Sequence, residues 1–84
     1  MKKLFTDTGW DDYTFWLEND TKTLKKIHRL LKDIDRTPFD GLGKPEPLKF
    51  ELAGYWSRRI NETDRLVYKV ENQSIIVIAC RHHY

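Results

Sequence analysis

Four strand-like segments fill the second half of the chain, and the connections between them are too short to hold a helix. They are rich in β-branched and aromatic residues and span 49–53, 55–60, 65–70 and 75–84. The connections are Gly54, residues 61–64 and residues 72–73. Parallel neighbours need a long crossover, so these short connections favour antiparallel hairpins. The pattern predicts a four-strand antiparallel meander.

Two amphipathic helices are predicted before these strands. The first runs from about residue 8 to 19, where Thr8 followed by Asp11 has the spacing of a capping box. Asp20 can cap the second helix. Apolar residues recur along both helices at three- and four-residue spacing, which is typical of core-facing stripes: Trp10, Tyr13, Trp16 and Leu17 in the first, and Leu24, Ile27, Leu31 and Ile34 in the second.

Chain length and element order together predict the fold class. Residues 2–6 form a short strand candidate that is free to join the sheet. The 84 residues leave room for a single domain, 1–84, with one modest core. We therefore expect an α+β fold in which two N-terminal helices pack on one face of a mostly antiparallel sheet of four to five strands.

Composition excludes several classes of protein. Cys80 is the only cysteine, so no internal disulfide can form, and its place in an apolar segment predicts a small core residue. No apolar stretch approaches the roughly 20 residues that span a bilayer, and the first residues lack a signal-peptide core. A cytoplasmic protein without a membrane segment is expected. The net charge of +2 permits a polyanionic partner without requiring one.

Residues 37–48 form a loop that contains every proline of the chain and half of its glycines. Three prolines make the backbone stiffer than the length suggests, so Glu46 and Lys49 can be held in fixed positions. A plain helix-to-sheet connection is the alternative. We favour a binding element, because long structureless loops in small domains often carry function.

An abrupt change from apolar to polar residues marks the last segment. The run 74–80 is followed by Arg81, His82, His83 and Tyr84, whose side chains can exchange protons or bind phosphate. A hairpin around residues 72–73 would bring Arg65, at the start of its strand, to the same end of the sheet. The sequence predicts a cationic site that includes a histidine.

Such a site has the groups needed to cleave RNA without a metal. Glu46 is a candidate base for the 2′-hydroxyl, His83 a candidate acid for the leaving 5′-oxygen, and Arg65 a bidentate clamp for the phosphoryl oxygens. Other candidates assist: Lys49 and Arg59 for positive potential, and Tyr84, Tyr55 or Trp56 for base stacking. No metal-binding motif or Gly-rich phosphate loop is present, so no metal or cofactor is expected. Because these residue types occur on most surfaces, the roles depend on convergence of the side chains.

Four blocks of sequence resemble one family. They are Gly-Lys-Pro-Glu-Pro-Leu-Lys at 43–49, Tyr-Trp-Ser-Arg-Arg-Ile at 55–60, Asp-Arg-Leu-Val-Tyr at 64–68 and Ala-Cys-Arg-His-His-Tyr at 79–84. In this order they look like the YoeB toxins, a branch of the RelE superfamily. The likeness runs from end to end and is strongest after residue 36.

The resemblance implies a toxin of a type II toxin–antitoxin pair with a microbial RNase-like fold. Such a toxin enters the A site of a translating ribosome and cleaves mRNA by metal-free 2′-hydroxyl attack. A YefM-like antitoxin and a homodimer are the implied partners. Carried over by position, the resemblance implies these roles: Glu46 general base, His83 general acid, Arg65 transition-state clamp, Tyr84 a positioning or stacking group, and Lys49 and Arg59 substrate or ribosome binding.

One position departs from the pattern of the family. Some relatives carry a carboxylate two residues before the arginine, whereas this chain has Thr63 there, between Glu62 and Asp64. How Arg65 is oriented therefore stays open.

Two other functions also remain open: a non-catalytic inhibitor that binds the ribosome, and a free-standing ribonuclease that cuts naked RNA.

Overall fold

The computed structural model describes residues 1–82 as two helices packed on one five-stranded sheet. In chain order the elements are β1 (Lys2–Phe5), α1 (Asp7–Asn19), α2 (Thr21–Arg36), β2 (Glu46–Pro47), a 3₁₀ helix (Phe50–Leu52), β3 (Trp56–Arg59), β4 (Arg65–Glu71) and β5 (Ser74–Ala79). The strand order in the sheet is β1-β5-β4-β3-β2. The expected α+β class is confirmed.

Strand pairing is antiparallel except at one edge. β2, β3, β4 and β5 follow one another as antiparallel neighbours, as their short connections predict. β1 joins the sheet beside β5 and runs parallel to it, with Lys2 opposite Ser74. The two strands are the first and last of the chain, so the helices and the other three strands lie between them, which more than meets the long connection that a parallel pair requires.

The N-cap of helix α1 lies two residues earlier than the sequence suggests. The predicted capping box at Thr8 is wrong: the cap is Thr6, whose Oγ1 accepts a hydrogen bond from the Gly9 N–H at 3.2 Å. Thr6 also donates its own backbone N–H to the Val77 carbonyl at 3.0 Å. This bond joins the start of the helix to β5. A Cβ at position 9 would overlap the Val77 carbonyl oxygen, and glycine there permits the close approach of α1 to β5.

The apolar stripe of α1 is only partly a core stripe. Trp16 is buried, but Trp10 and Leu17 are each 52% exposed, so the prediction that the whole stripe is core is wrong. Trp10 instead stacks on Tyr13 at the surface, with ring centroids 5.6 Å apart.

Helix α2 supplies most of the helical side of the core. Asp20 caps it as predicted, accepting hydrogen bonds from the N–H and hydroxyl of Thr23. All four residues of its predicted stripe are buried. They pack with Leu30 and with Leu66, Tyr68, Ile75 and Val77 of the central strands. Each fully buried aliphatic side chain contributes about 1.5–3 kcal/mol through removal from water.

Two strand predictions are wrong: one segment is not a strand, and the last strand is shorter than predicted. Residues 49–53 are not a strand, because Phe50 has φ +57° and the chain turns there into the 3₁₀ helix. The last strand ends at Ala79 rather than Tyr84. Conversely, the loop 37–48 contains a two-residue edge strand, Glu46–Pro47, that the sequence did not indicate. Within residues 1–82, neither helix is long and apolar enough to span a membrane.

Candidate active site

Three of the predicted site residues share one face of the sheet. Glu46 lies opposite Ser57, and Arg59 lies opposite Arg65, in the pairing of β2, β3 and β4. Directly paired residues point the same way, as do residues two apart in a strand. Arg58, the residue between Ser57 and Arg59, is fully buried on the helix side. The face that carries Glu46, Arg59 and Arg65 is therefore the one turned away from the helices.

Glu46 and Arg65 flank β3 on this face. They belong to strands two positions apart in the sheet, which corresponds to about 10 Å across the strands. Glu46 is exposed, while Arg65 is half-buried. A carboxylate and a guanidinium at this separation leave room for a phosphodiester and its ribose between them.

Backbone carbonyls orient Arg65. Its Nη1 donates to the carbonyls of Asn61, Glu62 and Asp64, at 2.9, 3.3 and 3.1 Å. These carbonyls belong to the β3–β4 turn, so the turn holds the guanidinium without a carboxylate at position 63. This arrangement answers the question that Thr63 left open.

Asn61 fixes the shape of that turn. Its Oδ1 accepts hydrogen bonds from the N–H of Thr63 at 2.8 Å and from the N–H of Asp64 at 2.7 Å. An asparagine that binds the backbone two and three residues ahead stabilises a tight turn. The Thr63 hydroxyl also donates to the same oxygen at 3.1 Å. Thr63 thus supports the turn that holds Arg65.

The segment after β5 is tied down from two sides. On the helix side, the Trp16 indole N–H donates to the Cys80 carbonyl at 2.7 Å, and the Cys80 N–H donates to Asp12 Oδ2 at 3.0 Å. On the turn side, the His82 N–H donates to Asp64 Oδ1 at 2.7 Å. The Arg65 N–H donates to the His82 carbonyl at 2.9 Å. This confirms that Arg65 and the end of the last strand meet at one end of the sheet.

The sequence did not point to Asp12, Trp16 and Asp64 as residues that hold this segment. The sequence contained one signal for Asp64. It is the neighbour of Arg65, and the predicted hairpin puts Arg65 near the end of the last strand. Arg81 is also held, with its guanidinium carbon 3.4 Å from the centroid of the Phe15 ring. His82 has φ +71° and does not continue the strand.

The remaining predicted site residues are distributed as follows. Lys49 is exposed and lies at the start of the 3₁₀ helix. It belongs to no strand, but it lies two residues after the edge strand that carries Glu46. Trp56 faces the core and packs on Phe39, with ring centroids 4.8 Å apart, so it is not available for stacking on the Glu46 face. Tyr55 contacts the Lys69 ammonium, which lies 5.2 Å from the ring centroid. His83 and Tyr84 lie outside the described residues.

Cys80 is a buried core residue, as predicted. Burial raises the pKa of its thiol to about 12, and the nearby carboxylates of Asp12 and Asp64 act in the same direction. The thiol is therefore protonated and unreactive. Among residues 1–82, no three His, Cys, Asp or Glu side chains converge as metal ligands would.

Comparison with known proteins decides the family. The model of the YoeB-like toxins of bacterial type II toxin–antitoxin systems matches residues 5–84. The chain belongs to this family. It is 55% identical to the toxin YoeB of Escherichia coli K12 over 84 residues, which is 100% of both chains.

Solved structures of YoeB toxins have the same fold. A YoeB/ParE toxin from Agrobacterium tumefaciens superposes with a TM-score of 0.95, at 51% identity over 100% of both chains. YoeB from Staphylococcus aureus is 46% identical over 100% of this chain and 98% of that one. It superposes with TM-scores of 0.94 as a dimer and 0.93 in a heterotetrameric complex with YefM. The RelE-type fold implied by the sequence blocks is therefore confirmed.

Proposed function

We propose that this YoeB-like chain, acting as one domain over residues 1–84 in the cytoplasm, is a ribosome-dependent endoribonuclease. It cleaves mRNA in the ribosomal A site and so inhibits translation. The observation that carries the proposal is the shared sheet face of Glu46, Arg59 and Arg65. That face combines a proton acceptor with positive charge.

The reaction is a transesterification within the mRNA. Glu46 takes the proton of the 2′-hydroxyl, the 2′-oxygen forms a bond to phosphorus, and the bond from phosphorus to the 5′-oxygen breaks. His83 gives a proton to that leaving oxygen. The products are a 2′,3′-cyclic phosphate and a 5′-hydroxyl. Each proton transfer typically accelerates such a step by about 10²–10⁴-fold.

Arg65 stabilises the crowded phosphorus of the transition state. Three carbonyls of the β3–β4 turn hold its Nη1, so the guanidinium is oriented before substrate arrives. A preorganised charge stabilises a developing negative charge more than a mobile one does, because it needs no reorganisation during the reaction. Arg59 adds positive charge beside it, and Lys49 extends the positive surface past the edge strand.

His83 and Tyr84 complete the proposed site as acid and as positioning or stacking group. The residues that lead to them are fixed: Cys80 by Asp12 and Trp16, and His82 by Asp64 and Arg65. These contacts hold the described chain, up to His82, at the end of the sheet that carries Arg65. This anchoring supports a catalytic role for the last residues.

A YefM-like antitoxin and a second copy of the toxin are the proposed protein partners. The relative from S. aureus is described both as a dimer and in complex with YefM, which supports both assignments. An acidic antitoxin segment that folds as it binds would cover the positive face and block entry to the ribosome.

Toeprinting on programmed ribosomes tests the proposal. Wild type should create a new break in the A-site codon of a defined mRNA, and His83→Gln should not. A control with mRNA alone should stay intact. Intact mRNA with translation still blocked would favour the non-catalytic inhibitor, and cutting at equal rates without ribosomes would favour a free-standing ribonuclease.

A further inference from the structure

A fully buried arginine binds the loop that leads to Glu46. Arg58 has no exposed surface, and its five N–H donors have five acceptors. Nε donates to the Tyr68 hydroxyl at 3.1 Å. Nη1 donates to Asp33 Oδ2 at 2.6 Å and to the Leu42 carbonyl at 3.1 Å, and Nη2 donates to the carbonyls of Thr37 and Asp40 at 2.6 and 2.7 Å.

Both side-chain partners of Arg58 bind the same loop. Asp33 Oδ2 also accepts a hydrogen bond from the Leu42 N–H at 2.9 Å. The Tyr68 hydroxyl donates to the Pro38 carbonyl at 2.7 Å. Residues 37–42, which have no regular secondary structure of their own, are therefore held from α2, β3 and β4 at once.

The held loop continues directly into the strand of Glu46. The Gly43 carbonyl accepts a hydrogen bond from the Arg59 N–H at 2.7 Å, and the chain then pairs Glu46 with Ser57. With only two residues, β2 has few hydrogen bonds with which to fix its own position. The loop that precedes it supplies the missing restraint.

We propose that Arg58 is a positioning residue that sets the location of Glu46 through the loop 37–43. This inference rests on the proposed role of Glu46 as the base. Arg58 contacts no substrate, and it acts from the opposite face of the sheet. Lysine cannot replace it, because an ammonium has three donors and lacks the planar fork that reaches five acceptors.

Two variants disturb the network in different ways. Arg58→Lys removes donors at its centre. Gly41→Ala leaves Arg58 intact but brings a Cβ onto Asp33 Oδ2, at a residue whose φ of +110° already disfavours a side chain. Because Gly41 is exposed, we expect this variant to fold even if a buried lysine proves too disruptive.

Gly54→Ala is the matched control. Gly54 also has a left-handed backbone, with φ +96°, but a Cβ there meets nothing within 4 Å. It therefore reproduces the backbone strain of Gly41→Ala without touching the network.

The decisive readout is coupling to Glu46. Single-turnover mRNA cleavage at saturating ribosomes is measured for each variant with Glu46 and with Glu46→Gln. We expect Arg58→Lys and Gly41→Ala to lower the rate about 10- to 100-fold when Glu46 is present, since a 1 Å displacement of a catalytic group costs that much. In the Glu46→Gln background the further loss should be under about threefold, because no base remains to misplace. Ribosome affinity and the Gly54→Ala rate should stay near wild type.

Several outcomes would overturn the inference. Equal losses with and without Glu46 would mean that Arg58 only stabilises the fold, and equal losses in Gly41→Ala and Gly54→Ala would mean that backbone strain is the cause. Wild-type rates in both network variants would mean that the loop does not set the position of Glu46. The Glu46→Gln variant alone tests the proposed function separately. A wild-type rate for that variant would show that Glu46 is not the base, and the inference about Arg58 would then fail for that reason.

Discussion

The carboxylate of Asp64 accepts a hydrogen bond from the backbone N–H of His82, with 2.7 Å between Oδ1 and N. The next residue, Arg65, which begins β4, donates its own N–H to the His82 carbonyl at 2.9 Å. His82 is thus held at both of its backbone polar groups, in a left-handed conformation with φ +71°. The same turn orients the Arg65 guanidinium, so the positions of Arg65 and of the His82 backbone are set together.

Removal of the Asp64 carboxylate should release the end of the chain. We expect Asp64→Ala to lower the mRNA cleavage rate on ribosomes about 10- to 100-fold, because the chain before His83 loses an anchor. The Asp64 carboxylate also accepts a hydrogen bond from Asn61 Nδ2 at 3.1 Å, so the free energy of unfolding should fall by about 1–3 kcal/mol, the net worth of two hydrogen bonds. Single-turnover cleavage and urea denaturation measure the two effects.

Glu62→Ala is the control for that experiment, since it removes a neighbouring exposed carboxylate from the same turn. Its cleavage rate should stay within about threefold of wild type. If both variants lose activity equally, the charge of the turn rather than the bond to His82 is responsible.

Arg65→Lys should separate charge from orientation. Lysine keeps the positive charge but lacks the planar fork, so it cannot bind the turn carbonyls and a phosphate together. We expect cleavage to fall about 10²–10³-fold with ribosome binding nearly unchanged. Arg29→Lys, the same change on an exposed helix surface, should have little effect. Full activity of Arg65→Lys would show that positive charge alone is sufficient.

Local sequence patterns predicted much of the fold. The stripe of α2 and its Asp20 cap are both present, since spacing and capping act within one helix. The hairpin of β4 and β5 follows from its short turn. The failed strand at 49–53 depends on the left-handed backbone of Phe50, which a β-like composition conceals.

The end of β5 depends on distant contacts, so local sequence could not predict it. The Cys80 N–H and carbonyl bind Asp12 and the Trp16 indole instead of a neighbouring strand. These partners lie more than 60 residues away in the chain. For the candidate site, the hairpin pattern predicted that Arg65 meets the end of the last strand. The edge strand that puts Glu46 on the face of Arg59 and Arg65, and the buried Arg58 network, depend on contacts of the loop that local sequence does not show.

Cys80 should resist alkylation in the native protein. A rise in the thiol pKa from 9.0 to about 12 lowers the thiolate fraction at pH 8 about a thousandfold, and burial adds a steric barrier. The reaction with iodoacetamide at pH 8 should therefore be at least a thousandfold slower than in urea. This raised pKa also stabilises the fold below pH 9, and that contribution is lost as pH rises from 9 toward 12. Rapid labelling of the native protein would contradict the buried position.

Asp33 should make the fold sensitive to acid. Hydrogen bonds from the Leu42 N–H and from Arg58 hold the pKa of its carboxyl below the usual 3.8. A lowered pKa in the native state contributes stability above the unfolded pKa, and this is lost as pH falls through the native pKa. Urea midpoints between pH 6 and 3 should therefore fall more steeply for wild type than for Asp33→Asn. Parallel pH profiles would contradict the prediction.

A single 2′-deoxynucleotide in the mRNA tests the central claim most directly. It replaces the A-site nucleotide whose 2′-hydroxyl would attack, and the ribosome, codon and toxin are otherwise unchanged. We predict that wild-type toxin cuts the all-ribose mRNA at this position to give a 2′,3′-cyclic phosphate and a 5′-hydroxyl, and leaves the deoxy mRNA intact there. Cleavage of the deoxy mRNA at the same bond and rate would contradict 2′-hydroxyl attack, and with it the roles proposed for Glu46 and His83.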